Sequence, residues 1–281
     1  MSAALPGAGD LFASRYRIER KLAAGGMGAV LQALDETSGQ RVAVKLLHPE
    51  LSRDREARRR FRREASVLKA LDHPAIVRVL DVGADERGRN YLTMELLEGE
   101  TLGSRIAREG PVPFEVVAPV VRSICGGLSA AHEHGVLHGD LKPANVFLLA
   151  APAAGAAAKL VDFGSSKVHG LERLTRTGEV IGTPIYMAPE LLTGADTIDE
   201  GIDIYALGVL LYESLAGEIP FTERNPAKLL YQIVMGGGVP LSARNPRLSP
   251  ALVALVERAM APRRADRFAS AQALAQALAA L

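Results

Sequence analysis

Polar and apolar residues change period along this chain. Tyr16, Ile18 and Leu22 fall on one face of Tyr16–Leu22, a period of two that predicts a strand. The cluster Gly25, Gly26 and Gly28 breaks it, and strand patterns resume at Val30–Leu34 and Arg41–Leu47 around a turn at Glu36–Gly39. Arg53–Leu71 shifts to helical spacing, with Ala57, Phe61, Ala65, Leu68 and Leu71 on one face. Glu64 lies in the middle of that face, where an unpaired buried carboxylate is costly and a cationic partner is expected. Ile76–Val82 and Asn90–Met94 read as further strands. Helical patterns then dominate at Phe114–His134, Ile202–Leu215, Pro226–Val234, Ala251–Ala259 and Ser270–Leu281. A strand-rich first third followed by helices predicts an α+β chain of two lobes. Ala150–Ala158, rich in Ala, Pro and Gly, reads as a lengthened hairpin loop, and Gly170–Gly182 as a polar excursion.

Composition narrows the function without naming it. The 281 residues suffice for two cores, and Lys plus Arg (33) balance Asp plus Glu (32) at net +1. That balance gives no field favouring nucleic acid or a membrane surface. The basic run Arg53–Arg63 is interleaved with Asp54 and Glu56, as a solvated helix face would be. A single cysteine, Cys125, excludes an intrachain disulfide and a cysteine-rich metal site, and fits a reducing compartment. Met1–Phe12 lacks the basic start and apolar run of a secretory signal. No uninterrupted apolar stretch reaches about 18 residues. The longest, Ile204–Ala216, carries Glu213 and reads as a buried helix.

The chemistry sits in short motifs whose order matters more than any one of them. Glycines between two strands usually mark only a turn, although their N–H groups can cradle phosphate. No Gly-Lys-Ser/Thr follows them, so a P-loop is not expected. Leu22-Ala23-Ala24-Gly25-Gly26-Met27-Gly28-Ala29-Val30 resembles the Gly-rich loop of protein kinases. Val42-Ala43-Val44-Lys45 resembles the strand that ends in the family's ATP lysine. His138-Gly139-Asp140-Leu141-Lys142-Pro143-Ala144-Asn145 is similar to the catalytic loop, Val161-Asp162-Phe163-Gly164 to the metal-binding motif, and Gly182-Thr183-Pro184 through Ala188-Pro189-Glu190 to the substrate-docking segment. The resemblance runs from about Tyr16 to the C-terminus, close to a bacterial Hanks-type serine/threonine kinase domain.

That resemblance implies a two-lobed kinase fold, a small antiparallel sheet with one key helix and a larger helical lobe. Its expected division is a leader at 1–14 and a kinase domain at 15–281, with N-lobe 15–94, hinge 95–99 and C-lobe 100–281. It implies ATP and Mg2+ as cofactors. Leu22, Ala23, Ala24, Gly25, Gly26, Met27, Gly28, Ala29, Val30 and Ala43 would enclose the nucleotide. Met94 would close the back of the pocket, and the Glu95 C=O and Leu97 N–H would meet the adenine edge. Lys45 would hold phosphates and pair with Glu64, and Asn145 and Asp162 would ligate the metal. Asp140 would orient the substrate hydroxyl, Lys142 would steady the transferring phosphate, and Thr183 would bond to both. Leu68, Val79, His138 and Phe163 would form a packed spine, giving His138 no role as a base. Glu190 would pair with Arg267. Asp203 would anchor the catalytic loop, or serve as an ordinary helix N-cap.

Lys142 and Thr183 match the serine/threonine pattern, so the expected partner is a protein bearing Ser or Thr, with no nucleic acid and no membrane segment in this chain. Transient self-association would allow autophosphorylation, with Thr175 and Thr177 as acceptors. A cytoplasmic location is expected, including as the cytoplasmic domain of a longer receptor. Two positions depart from the pattern. Ala23 replaces the first loop glycine, and Gly139 replaces the arginine that ordinarily pairs with an activation-segment phosphate. A nucleotide-binding pseudokinase scaffold is the alternative, opposed by the presence of Lys45, Asp140, Asn145 and Asp162. A small-molecule phosphotransferase is opposed by Lys142 and the docking segment.

Overall fold

The computed structural model describes residues 5–25, 28–47, 59, 61, 65, 67–163, 184–195 and 197–281. Two compact units divide the chain, one within 1–73 and 77–98, the other comprising 74–76 and 99–281.

The first unit is built on a six-stranded sheet in the order β1-β2-β3-β4-β6-β5. Its strands are β1 (Leu11–Phe12), β2 (Tyr16–Gly25), β3 (Gly28–Asp35), β4 (Arg41–Leu47), β5 (Val79–Ala84) and β6 (Asn90–Glu95). All neighbours run antiparallel. Strand alternation sends Ala29, Leu31 and Ala33 of β3 and Val42, Val44 and Leu46 of β4 to one face, where Phe12, Tyr16 and Tyr91 complete a core. The Tyr91 ring meets Phe12 and Tyr16 edge-on at 5.3 and 5.7 Å. Part of the segment read as a leader belongs to this sheet, as β1. Phe12 is buried, and the Gly9 N–H donates to the Ile18 carbonyl at 2.8 Å. Residues 59, 61, 65 and 67–70 are helical, and Ala65 and Leu68 are buried, as the apolar spacing predicts. The strand expected at Ile76–Val82 starts only at Val79. Ile76 instead bridges Leu160 in the second unit.

The second unit pairs a three-stranded sheet, β7 (Gly99–Thr101), β8 (Val146–Ala153) and β9 (Ala156–Leu160), with helices. These are α1 (Leu102–Glu109), α2 (Phe114–Glu133), α3 (Pro189–Thr193), α4 (Gly201–Ala216), α5 (Pro226–Met235), α6 (Leu241–Arg244), α7 (Pro250–Ala259) and α8 (Ala271–Ala279). The loop expected at Ala150–Ala158 is mostly ladder: β8 and β9 run into it and only Ala154-Gly155 turn. Ala156, Ala158 and Leu160 bury one face of β9, which outweighs alanine's weak strand preference.

Side-chain caps start four helices: Thr101, Asn225, Ser249 and Ser270 each accept the N–H three residues on. α2 has the length and hydropathy of a membrane-crossing helix, yet Val117, Val121, Ile124 and Leu128 lie in the core beside α4. Each such side chain, fully buried, contributes about 1.5–3 kcal/mol. In α4 every residue except Glu213 is buried, so it is apolar around its whole circumference.

Arg267 ties the end of the chain to α3. Its guanidinium is buried and donates to both Glu190 carboxylate oxygens at 2.7 and 2.8 Å. Its other N–H groups go to the carbonyls of Ala261, Gly201 and Pro262 at 2.7, 2.9 and 2.8 Å. All five donors are used, so the buried charge is fully satisfied. Tyr205 packs its ring 5.0 Å from the same group. Removing the arginine leaves Glu190 partly buried without its partner. We predict that Arg267→Ala lowers unfolding stability by about 3–5 kcal/mol. Glu190→Gln should cost less, because the three carbonyl contacts survive. Urea unfolding followed by circular dichroism measures both, and a loss below about 1 kcal/mol for Arg267→Ala would contradict this account.

Candidate functional site

In the first unit, strand register decides which residues can share a ligand face. Val30 pairs with Ala23 and Lys45, and Ala43 with Met94. Directly paired residues point to the same side, so Ala23, Val30, Ala43, Lys45 and Met94 lie on one face of the sheet. That face is opposite the core built from Leu31, Val44 and Leu46. Ala29, paired with Ala24 and Leu46, falls on the core side and is buried, so only its backbone is available to a nucleotide. Leu22 is exposed on β2.

Gly28 has a structural reason for being glycine. A Cβ there would stand 1.8 Å from the Leu46 carbonyl oxygen. The glycine cluster is thus partly demanded by the close approach of β3 and β4. After β6, the Glu95 carboxylate accepts the Arg78 N–H at 2.7 Å. Leu97 lies half-buried beyond β6. Gly26, Met27, Glu64, Thr175, Thr177 and Thr183 lie outside the described residues.

In the second unit, the catalytic-type loop hangs from one carboxylate. Asp203 is the third residue of α4, which places it inside the helix rather than at its cap, Glu200. It is buried and accepts the backbone N–H groups of His138 at 2.8 Å and Gly139 at 2.9 Å. The His132 ring Nε2 bonds to it at 2.8 Å. Burial pushes the Asp203 carboxyl upward. The His132 bond, the nearby imidazoles and the Gly139 N–H outweigh that and hold it below the ordinary carboxylate value. His132 is a residue the sequence reading missed; it lies near the end of α2 and carries no motif.

Past Gly139 the loop places its reactive groups close together. Lys142 Nζ lies 3.0 Å from Asp140 Oδ2. Asn145, in the tight turn Pro143–Asn145, donates its amide to the Asp140 carbonyl at 2.8 Å and to Oδ2 at 3.2 Å. The Asn145 carbonyl in turn takes the Val161 N–H at 3.0 Å, which fixes the strand end carrying Asp162. Asp162 itself has φ of 57°, a left-handed conformation uncommon outside glycine.

His138 is spoken for. Its Nδ1 takes the Asp140 N–H at 3.3 Å, so Nε2 carries the proton and donates to the Val161 carbonyl at 3.2 Å. Burial lowers its pKa, which favours the neutral ring. Phe163 packs against it at 4.6 Å. Leu68 and Val79 are buried within the first unit.

In the segment after the described gap, Pro184 and Ile185 are buried and the Tyr186 hydroxyl donates to Glu213. Burial raises the carboxyl of Glu213.

The oxygen donors that Asn145 and Asp162 carry are of the kind Mg2+ takes. Asn145 commits its amide nitrogen to Asp140, which leaves Oδ1 as the acceptor of that amide, and Asp162 adds a carboxylate. Hard oxygen ligands of this kind suit Mg2+.

Comparison with known proteins agrees with the geometry. Residues 16–278 match the family described as the protein kinase domain. The chain is 38% identical over 95% of its length to serine/threonine-protein kinase pkn2 of Myxococcus xanthus. It is 39% identical over 92% of its length to serine/threonine-protein kinase PknB of Mycobacterium tuberculosis. It spans only 32% and 41% of those two relatives. The crystal structure of the Mycobacterium tuberculosis PknI kinase domain superposes with a TM-score of 0.77 at 32% identity, covering 99% of both chains. The chain belongs to the protein kinase domain family.

Proposed function

We propose that this chain transfers the γ-phosphoryl group of ATP to serine and threonine hydroxyls of proteins, autophosphorylating in bacterial signalling. The observation that carries this is the Asp140–Lys142–Asn145 group, within 3.0 and 3.2 Å at Asp140 Oδ2, on a loop held by a buried carboxylate. Asp140 orients the substrate hydroxyl and accepts its proton as the new O–P bond forms and the bond from the γ-phosphorus to the departing ADP breaks. Lys142 stands beside that carboxylate and balances the charge gathering on the transferring phosphoryl oxygens. Lys45 would hold the α- and β-phosphates, with Glu64 as its partner on the family pattern. Asn145 and Asp162 would hold Mg2+, which supplies neutralisation of the phosphate charge when bound. Thr183, on the family pattern, would bond to Asp140 and Lys142. Positioning and electrostatics therefore do most of the catalytic work.

The adenine lies against Leu22, Ala23, Val30, Ala43 and Met94, with its edge on the Glu95 C=O and Leu97 N–H. Gly25, Gly26, Met27 and Gly28, with Ala24 and the backbone of Ala29, would enclose the phosphates. We assign N-lobe 15–94, hinge 95–99 and C-lobe 100–281. The chain acts in the cytoplasm, alone or as the cytoplasmic part of a longer receptor, and associates transiently with itself during autophosphorylation. The presence of Lys45, Asp140, Asn145 and Asp162 supports an active enzyme over a pseudokinase scaffold.

Incubation with Mg-ATP and a generic basic protein, followed by phosphosite mass spectrometry, tests the reading. Phosphoserine or phosphothreonine is expected on the chain or the substrate, and Asp140→Asn should lower kcat by about 10²–10⁴-fold. Absence of phosphate from both proteins would refute the enzyme assignment. Because position 139 has no arginine, Thr175→Ala combined with Thr177→Ala should keep activity toward added substrate within about threefold. Abolished activity in that double variant would show that the switch is read some other way.

A further inference from the structure

Gly201 opens α4 with no conformational need for glycine, since its φ is not left-handed. What it lacks is room. A Cβ there would stand 2.0 Å from both Cδ and Nε of Arg264, which lies across the start of the helix. The next nearest atom, Asp199 Oδ1 at 2.7 Å, ends an exposed side chain that can turn aside. Arg264 cannot move so cheaply, because every nitrogen of its guanidinium is engaged. Nε donates to the Asp199 carboxylate at 2.8 and 3.1 Å. The two terminal nitrogens donate to the carbonyls of Phe268 at 3.1 Å and Ala269 at 3.2 Å, on the run into α8. Asp199 in turn accepts the Gly201 N–H at 2.7 Å, a capping bond that the Glu200 side chain does not make. Burial pushes the Asp199 carboxyl upward, but the Arg264 bond and the Gly201 N–H outweigh it and hold the group below the ordinary carboxylate value. On the other side of the same glycine, Arg267 donates to its carbonyl at 2.9 Å and to both oxygens of Glu190.

We infer that Arg264 is a positioning residue coupled in size to Gly201. The glycine leaves the space in which the guanidinium lies, and the guanidinium fixes the first turn of α4. That turn presents the Gly201 carbonyl to Arg267, which holds Glu190 at the end of the docking segment. The consequence for catalysis rests on the kinase reading, whereas the size coupling does not. As a charge pair, Arg264 and Asp199 contribute little, because Asp199 is exposed and water screens the pair. The worth of the contact is geometric: one planar group joins residues 199, 268 and 269 in fixed directions. Helix propensity alone predicts the opposite of this clasp. Alanine is the better helix former, so Gly→Ala at an uncrowded helix position is stabilising. Here the added methyl must expel the guanidinium, so the substitution forfeits the arginine's bonds and resembles loss of the arginine itself. Once the arginine is gone the space is open, and the propensity gain returns.

The test is a double-mutant cycle of Gly201→Ala and Arg264→Ala, read by melting temperature and by kinetics with Mg-ATP and a basic protein substrate. Gly201→Ala alone should lower the melting temperature by about 2–8 °C, and Arg264→Ala by a similar amount. Added to Arg264→Ala, Gly201→Ala should leave the melting temperature unchanged or raise it by about 2–4 °C. In both single variants KM for the protein substrate should rise about 3- to 10-fold, while KM for ATP stays within about twofold. Arg264→Lys keeps a charge beside Asp199 but not the planar fork, so it should not restore the substrate KM. A higher melting temperature for Gly201→Ala in the wild-type background would overturn the coupling, as would additive losses in the double variant. Lower melting temperatures with an unchanged substrate KM would overturn the positioning role, and so would full rescue by Arg264→Lys. Should Gly201→Ala fail to fold, the double variant must still fold and melt no lower than Arg264→Ala; a double variant that also fails to fold, or melts lower, overturns the coupling. The expected melting cycle in a wild type that transfers no phosphate would instead refute the kinase reading and leave the clasp standing.

Discussion

The buried carboxylate of Asp203 is the constraint on which the catalytic loop depends. An ionised group with 1% exposure is tolerable only when its lone pairs are filled. Here the His138 and Gly139 N–H groups and the His132 ring fill them. The bonds act in both directions. The loop needs the carboxylate to hold its turn, and the carboxylate needs the loop to remain ionised in the core. Everything downstream inherits that turn: the Lys142–Asp140 pair, the Asn145 bridge, and through the Asn145 carbonyl the start of the segment bearing Asp162.

α4 explains why that carboxylate is a reliable anchor. The helix is buried along its length, so it is fixed by packing on every side rather than along one stripe. Asp203 in its first turn serves the catalytic loop, and Glu213 in its last turn takes the Tyr186 hydroxyl from the docking segment. Gly201, at its start, lends its carbonyl to Arg267, whose other contacts hold Glu190. One helix thus sets three separate pieces of chain that sequence alone leaves far apart. Each attachment is a polar group satisfied at the edge of an apolar element, which places each piece more narrowly than packing alone.

Much of this was legible in the residues, for identifiable reasons. Strong periodicity located α2, α4, α5, α7 and α8 to within a residue or two, and β4 matched Arg41–Leu47 at both ends. α1 escaped because only Leu102 and Ile106 are buried in an otherwise polar segment; its cap, Thr101, and its closing Gly110 were the available signals. The strand character of Ala150–Ala158, read as the loop of a hairpin, escaped because alanine carries little strand preference, and the alternating burial on β9 is a tertiary property. β1 escaped because two residues have no period. Motif order pointed to Asp140, Lys142 and Asn145, whereas the bond from His132 to Asp203 and the left-handed φ of Gly139 are visible only in the fold. Register likewise separated Ala29 from its neighbours in the glycine loop, a distinction invisible in a contiguous motif.

Gly139 also bears on how such a domain can be controlled. A modification shifts a conformational equilibrium only by as much as it interacts differently with the two states. A phosphate acts on this loop through a charged side chain that touches it in one state and not in the other. Position 139 offers hydrogen in place of such a chain, and its N–H is already committed to Asp203. Burial favours the neutral ring of His138, and both ring nitrogens are tied, so it makes a poor cationic partner. The charged groups left on the loop are Asp140, which repels phosphate, and Lys142, which is paired with Asp140. A phosphate on the activation segment therefore has little to hold at residues 138 and 139.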